Sequence, residues 1–208
     1  ISFAQYTFNS LYYATFSTIG MVISTTLTSY AFGKLKWPGR DKWFLVMIAT
    51  MVIPSQVLQI PLFILYSKLG WIDTYNPLII PSYFAVGAAA NIFLLRQFFM
   101  GIPNSLKESA QLDGANEFQI FWSIMLPLVR SMVVCIAFMT FMNCWNDFYN
   151  PLLYISNSNL FPLAYAIRTF STQYANQNNL IMAASLIVTL PSLVLFFLAQ
   201  KQIIGSTA

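Results

Sequence analysis

Five continuous apolar stretches, each of helix length and each bounded by polar or charged residues, constrain this chain most. They run from about Ser10 to Phe32, Trp43 to Leu65, Leu78 to Phe99, Trp122 to Leu152 and Leu180 to Gln200. A helix crossing a bilayer needs about 20 mostly apolar residues, whereas a transmembrane barrel shows stretches of about ten residues that alternate apolar and polar. The pattern predicts an all-α polytopic membrane protein, a bundle of five transmembrane helices within these 208 residues. Composition agrees: 8% of residues are charged and 58% hydrophobic, while a soluble domain carries roughly 25% charge. Too little polar surface remains to cover a compact particle in water, and little length remains for a separate soluble domain.

The same counts exclude several kinds of chemistry. There is no histidine, which removes imidazole acid–base work and histidine-ligated metals. Cys135 and Cys144 lie in one apolar stretch without metal-type spacing and read as small buried side chains, with no metal site expected. The net charge is +4, yet the basic residues are spread over loops instead of forming a stripe among aromatics, so nucleic acid is not an expected partner. An intramembrane enzyme would need converging nucleophile, base or metal ligands, and Asp147 is the one acid well inside an apolar stretch. No catalytic residues are therefore assigned.

Loop charge predicts orientation, because lysine and arginine in short loops are retained in the cytoplasm. Lys34, Lys36, Arg40 and Lys42 mark the first connection as cytoplasmic. Counting alternately, the connection from Arg96 to Arg130 and the tail with Lys201 share that side, leaving Lys68 and Arg168 outside. A cytoplasmic C-terminus with five spans requires an external N-terminus, and the chain begins at Ile1. A further span is thus expected before it, giving six in the full chain and making residues 1–208 a single transmembrane domain without its first helix. Of the external connections, Ser67 to Asn76 is short. Ile155 to Asn179 is long and polar, with Asn157, Asn159, Gln173, Asn176, Gln177, Asn178 and Asn179 around Tyr165, Phe170 and Tyr174. Amides and aromatics suit sugar or protein contacts; a solvated loop with interface-anchoring aromatics fits the same residues.

Residues 101–122 form the most informative connection. Ser105 with Glu108 matches a capping box, as does Asn116 with Gln119. Gly114 can close the first helix in the left-handed cap conformation. Pro127 should bend the second near the membrane surface. A short helix lying across the cytoplasmic face and tied to a span can transmit force from a partner.

Glu108-Ser109-Ala110, followed by Asp113-Gly114-Ala115 and then Ile124-Met125-Leu126-Pro127, resembles the EAA loop of binding-protein-dependent ABC importer permeases. Ser109 stands where the motif has a second small residue. Similarity to the carbohydrate branch, the maltose-transporter type, extends over nearly the whole chain. It is carried by Asn9-Ser10, Tyr30-Ala31-Phe32, Trp37-Pro38-Gly39-Arg40, Ile53-Pro54, Leu69-Gly70, Trp145-Asn146-Asp147-Phe148 and Met182-Ala183-Ala184-Ser185. The resemblance implies six spans and a cytoplasmic coupling helix that sits in a cleft of an ATPase subunit. Glu108, Ser109, Ala110, Asp113, Gly114 and Ala115, with Leu126 and Pro127, would form that coupling region. It further implies an ABC ATPase dimer carrying ATP and magnesium, a second homologous permease, an extracytoplasmic solute-binding protein and a bacterial or archaeal cytoplasmic membrane. This chain has no Gly-x-x-x-x-Gly-Lys phosphate loop, so no cofactor is expected on it.

A second constellation, Asn143, Trp145, Asn146, Asp147, Tyr149 and Asn150, lies near the outer end of the fourth stretch. Polar groups at membrane depth face a bundle interior or a wet cavity. These residues are therefore pathway candidates, together with Gln56, or else they tie neighbouring helices while Trp145 marks the interface. Pro54, Pro61, Pro81 and Pro191 should kink spans, and Gly87-Ala88-Ala89-Ala90 should offer a smooth packing face. The reading is a permease for a sugar or oligosaccharide; the alternative solute, glycerol phosphate, would favour cations in the spans.

Overall fold

The computed structural model describes residues 3–165, 167–168 and 178–204. Phe170, Gln173, Tyr174, Asn176 and Gln177 of the long polar connection lie outside them. Among the described residues the chain is helical without strands: α1 Phe3–Lys34, α2 Arg40–Ala49, α3 Ser55–Lys68, α4 Asn76–Tyr83, α5 Ala89–Gly101, α6 Asn104–Leu112, α7 Glu117–Ile120, α8 Leu126–Leu128, α9 Arg130–Trp145, α10 Tyr149–Tyr154 and α11 Asn178–Ile204.

The apolar stretches fold into helices, though most are not straight rods. Among the described residues no single helix is long and apolar enough to cross a membrane. Two bent pairs have the length and composition together: Arg40–Val52 with Ser55–Lys68, bent by 97°, and Glu117–Leu128 with Arg130–Trp145, bent by 79°. The first bend falls at Ile53, extended at φ −78° and ψ 115°, before Pro54; a residue preceding proline is driven out of the helical region. The second falls at Val129, two residues past Pro127. Proline cannot donate to the carbonyl four residues back, and the turn before it widens into a π-segment, Phe121–Met125. Pro61 and Pro191, by contrast, lie inside uninterrupted helices.

The third stretch is broken between α4 and α5, where Ala85 and Gly87 have positive φ of 54° and 75°. The smooth face expected of residues 87–90 is therefore only half realised. Gly87 makes the turn with open space beside it, while Ala88 and Ala89 are buried.

Helix α1 is the central strut, and its polarity is reversed relative to a helix of a soluble protein. Ser10, Ser17, Ser24, Thr25 and Ser29 are buried, whereas Phe8, Leu11, Phe16, Ile19, Ile23 and Leu27 are exposed. Small hydroxylated residues let backbones approach and hydrogen-bond across helices. Here Ser17 donates to Leu78 O at 3.2 Å, Ser24 to Ser82 O at 2.7 Å and Ser29 to Ile92 O at 3.2 Å. Gly20 admits the Tyr83 ring, since a Cβ there would meet it at 2.5 Å. This hydroxyl seam lowers the hydropathy of α1 while leaving its apolar stripe outward.

Two apolar clusters lie along the strut. One gathers Tyr30, Leu95, Phe99, Ala110, Ile120, Phe121, Met125, Val129 and Ile136. The other gathers Tyr13, Tyr66, Leu78, Tyr154 and Ile155.

Candidate functional site

The first candidate region is built from α6 and α7. Gly114, at φ 83°, ends α6 in a complete Schellman arrangement: Ala115 N donates to Ala110 O at 2.9 Å and Gly114 N to Gln111 O at 3.1 Å. No atom lies within 4 Å of where its Cβ would stand. Asn116 and Gln119 form the expected capping box, with reciprocal bonds of 2.9 and 2.8 Å. The box expected of Ser105 and Glu108 does not form. Helix α6 begins at Asn104 behind Pro103, two residues too early for Ser105 to cap it, and has no side-chain cap.

Glu108, Ser109, Asp113 and Gly114 are exposed, as is Leu112, at 89%. Ala110 instead faces inward at 8% exposure, in the cluster with Tyr30 and Phe121. Its small size thus serves packing onto the chain's own core. Ala115 and Leu126 are half-buried against the same cluster, and Pro127 is exposed beside a groove of about 650 Å³.

A polar junction that the sequence reading missed holds this region to α1. Glu117 Oε2 accepts from the Tyr30 hydroxyl at 2.8 Å. Its Oε1 meets Lys107 Nζ at 2.8 Å and accepts from Gln111 Nε2 at 3.0 Å. Lys34, the last residue of α1, donates to Ile102 O and to Asn104 Oδ1 at 2.9 Å. Burial, and then the Lys107 cation, lower the Lys34 pKa. Burial opposes the Glu117 carboxylate, but the hydrogen bonds from Lys107 and Tyr30, the Lys107 charge and the Gln111 amide outweigh it and lower its pKa. A cavity of about 540 Å³ opens alongside, lined by Lys34, Lys36, Arg40, Lys107, Glu108 and Glu117 among others. The available signal was that Lys107 and Glu117 are two of very few charges in a predicted force-bearing connection.

The second region lies at the other end of α1. Asp147 Oδ2 accepts from Tyr13 at 2.8 Å and from Asn150 Nδ2 at 2.9 Å. This is the helix-tying role that had been the alternative to solute contact. Trp145 is fully buried and donates from Nε1 to Val188 O at 3.1 Å, so it joins α9 to α11. Asn143, Asn146 and Tyr149 are exposed, as is Gln56. The Tyr149 hydroxyl donates to Gln59 Oε1 at 2.8 Å, linking α10 to α3 through a glutamine not singled out before. Its signal was a second amide three residues after Gln56.

Loops beside this region are tied tightly. Asp73, at φ 61°, accepts through Oδ1 from the amides of Ser156 and Asn157. Tyr75 donates to Leu160 O at 2.6 Å and Asn9 to Asn159 O at 2.9 Å.

Comparison with known proteins agrees with this architecture. The fold matches a crystal structure of a bacterial ABC transporter involved in the import of the acidic polysaccharide alginate, with a TM-score of 0.85 and 22% identity over 96% of this chain and 74% of that one. The arabinooligosaccharides transport system permease protein AraQ of Halalkalibacterium halodurans is 31% identical over 95% of this chain and 70% of its own length. The sn-glycerol-3-phosphate transport system permease protein UgpE of Pectobacterium atrosepticum is 32% identical over 93% of this chain and 68% of its own. The family model described as binding-protein-dependent transport system inner membrane component matches residues 20–204. With that match spanning most of the chain, and with its reversed-polarity strut and bent apolar helix pairs, the chain belongs to the family of binding-protein-dependent transport system inner membrane components.

Proposed function

We propose that this permease carries a sugar or oligosaccharide, delivered by an extracytoplasmic solute-binding protein, across the membrane through alternating access driven by a separate cytoplasmic ATPase. The observation that carries the coupling half of this reading is the form of α6. It is a nine-residue helix that buries one residue, Ala110, and turns Glu108, Ser109, Leu112 and Asp113 outward. Leu112 at 89% exposure is an apolar group left for another protein to cover, and the Gly114 turn leaves space for close approach. Helix α6 is thus read as the coupling helix on the cytoplasmic side, with the C-terminus on that same side and five spans within the chain. ATP binding on the partner closes the ATPase pair and favours the outward-open arrangement; hydrolysis resets it.

A neutral, hydroxyl-rich solute is supported by the relatives named for arabinooligosaccharides and by the exposed amides and phenol of Gln56, Asn143, Asn146 and Tyr149. Arg96 does not serve a solute: it donates to Phe32 O at 3.1 Å and stands 4.0 Å over the Phe44 ring. A second reading, glycerol phosphate, draws on the relative named for it and on Arg168 beside Asn146 in a cavity of about 430 Å³.

The test is Gly114→Asp in the complete transporter extracted in mild detergent. The wild type should bring down an ATPase and a second permease; the variant should remain in the membrane yet lose the ATPase and sugar uptake. An ATPase held equally well by both would remove α6 from the interface.

A further inference from the structure

Glu117 lies three residues beyond Gly114, at a position that the EAA resemblance does not use, yet its carboxylate is where α1, α6 and α7 meet. Donors reach it from two other elements: Tyr30 of α1 at 2.8 Å, and Lys107 and Gln111 of α6 at 2.8 and 3.0 Å. A helix that buries only Ala110 is not fixed in position by apolar packing alone, so its side-chain bonds decide how rigidly it follows its neighbours. Tyr30 is 5% exposed, wedged against Phe99 and Phe121 at centroid distances of 5.6 and 5.1 Å. The ring so held aims its hydroxyl at the Glu117 carboxylate. Lys107 Nζ also reaches Lys34 O at 3.4 Å, where α1 ends.

We propose that Glu117 is a positioning residue for transport: a three-way junction that makes displacement of the coupling helix α6 a displacement of α1, and so fixes how much solute moves per ATP hydrolysed. A carboxylate suits the task because its two oxygens offer about four acceptor sites and it is charge-matched to Lys107. A glutamine of the same size has one acceptor oxygen, and its amide group turns donors toward the lysine. The junction works at a distance from the solute. Through α1 it reaches Tyr13 and Asp147, about 25 Å away at 1.5 Å per helical residue. The assignment rests on α6 being the coupling helix, and its test separates the two ideas.

The experiment uses the complete transporter in proteoliposomes, with ATP hydrolysis and sugar uptake measured on the same sample for wild type, Glu117→Gln, Tyr30→Phe and Gly114→Asp. Glu117→Gln should keep its ATPase subunit and hydrolyse ATP at a rate close to wild type, while uptake per ATP falls about fivefold, the scale of one or two lost hydrogen bonds. Tyr30→Phe, which removes one hydroxyl, should shift the same ratio in the same direction by less, and it decides the matter if Glu117→Gln does not assemble. An unchanged ratio in both variants overturns the junction, as does a loss of uptake matched by an equal loss of hydrolysis, since that marks a merely structural residue. Gly114→Asp reports on the coupling reading alone: loss of the ATPase supports it, and normal hydrolysis and uptake refute it whatever Glu117→Gln does.

Discussion

The Tyr13 hydroxyl donates to Asp147 Oδ2 at 2.8 Å, and this bond is the counterpart, near one end of α1, of the Tyr30–Glu117 bond near the other. One helix thus carries two tyrosine–carboxylate contacts, each gripping a separate candidate region. Tyr13 is 4% exposed, so the donor it offers Asp147 is held inside the bundle. Tyr13→Phe should destabilise the permease by about 1.5–3 kcal/mol, the net worth of a hydrogen bond to a charged group. The unfolding temperature of the purified transporter should fall, with the KM for sugar unchanged. A raised KM at unchanged stability would place Tyr13 in the pathway instead.

Gly20 is where α1 and α4 come into contact. A methyl group at this position would lie 2.5 to 2.8 Å from three ring atoms of Tyr83, so either the ring or the helix must move. Gly20→Ala should cost about 1–3 kcal/mol, the usual range for overpacking, and reduce the yield of folded protein. Gly20→Ala combined with Tyr83→Leu should recover much of the loss, measured as unfolding temperature.

Tyr149 and Gln59 are the polar pair best placed to distinguish pathway from framework. Tyr149 is half exposed at 47%, and its bond to Gln59 lies on an open face, so breaking it leaves nothing orphaned. Tyr149→Phe should therefore leave stability unchanged while raising the KM for sugar several-fold. Identical uptake kinetics would assign the pair to helix tying.

Acid should act through Glu117. Its pKa is lowered, so the stabilisation it brings is complete above the ordinary glutamate value near ~4.3 and fades as pH falls through the lower folded value. On acidification from about pH 6 to about pH 3.5 the wild type should lose thermal stability more steeply than Glu117→Gln. Parallel curves would show that the carboxylate gains nothing from its donors.

Much of this organisation is legible along the chain because membrane insertion leaves a coarse record. The apolar stretches locate the helices, and the Gly114 cap and the Asn116–Gln119 box lie where local backbone chemistry puts them. Local rules fail where tertiary contacts prevail. Ser105 is a good cap by type, but α6 starts two residues earlier, behind Pro103 and where Lys34 holds Asn104. Trp145 carries interface chemistry, yet the Val188 carbonyl takes its N–H inside the bundle. The Glu117 junction joins residues 87 positions apart, and no local period marks it. Nor does periodicity announce the break at Ala85 and Gly87, which depends on two positive φ angles.

The central claim, an ATP-driven sugar permease coupled through α6, is tested most directly by the ATPase activity of the purified complex with and without its sugar-loaded binding protein. The account predicts a several-fold stimulation that requires the sugar and disappears in Gly114→Asp together with the ATPase subunit. A chain that purifies without an ATPase, or a complex whose hydrolysis is indifferent to the loaded binding protein, would contradict it.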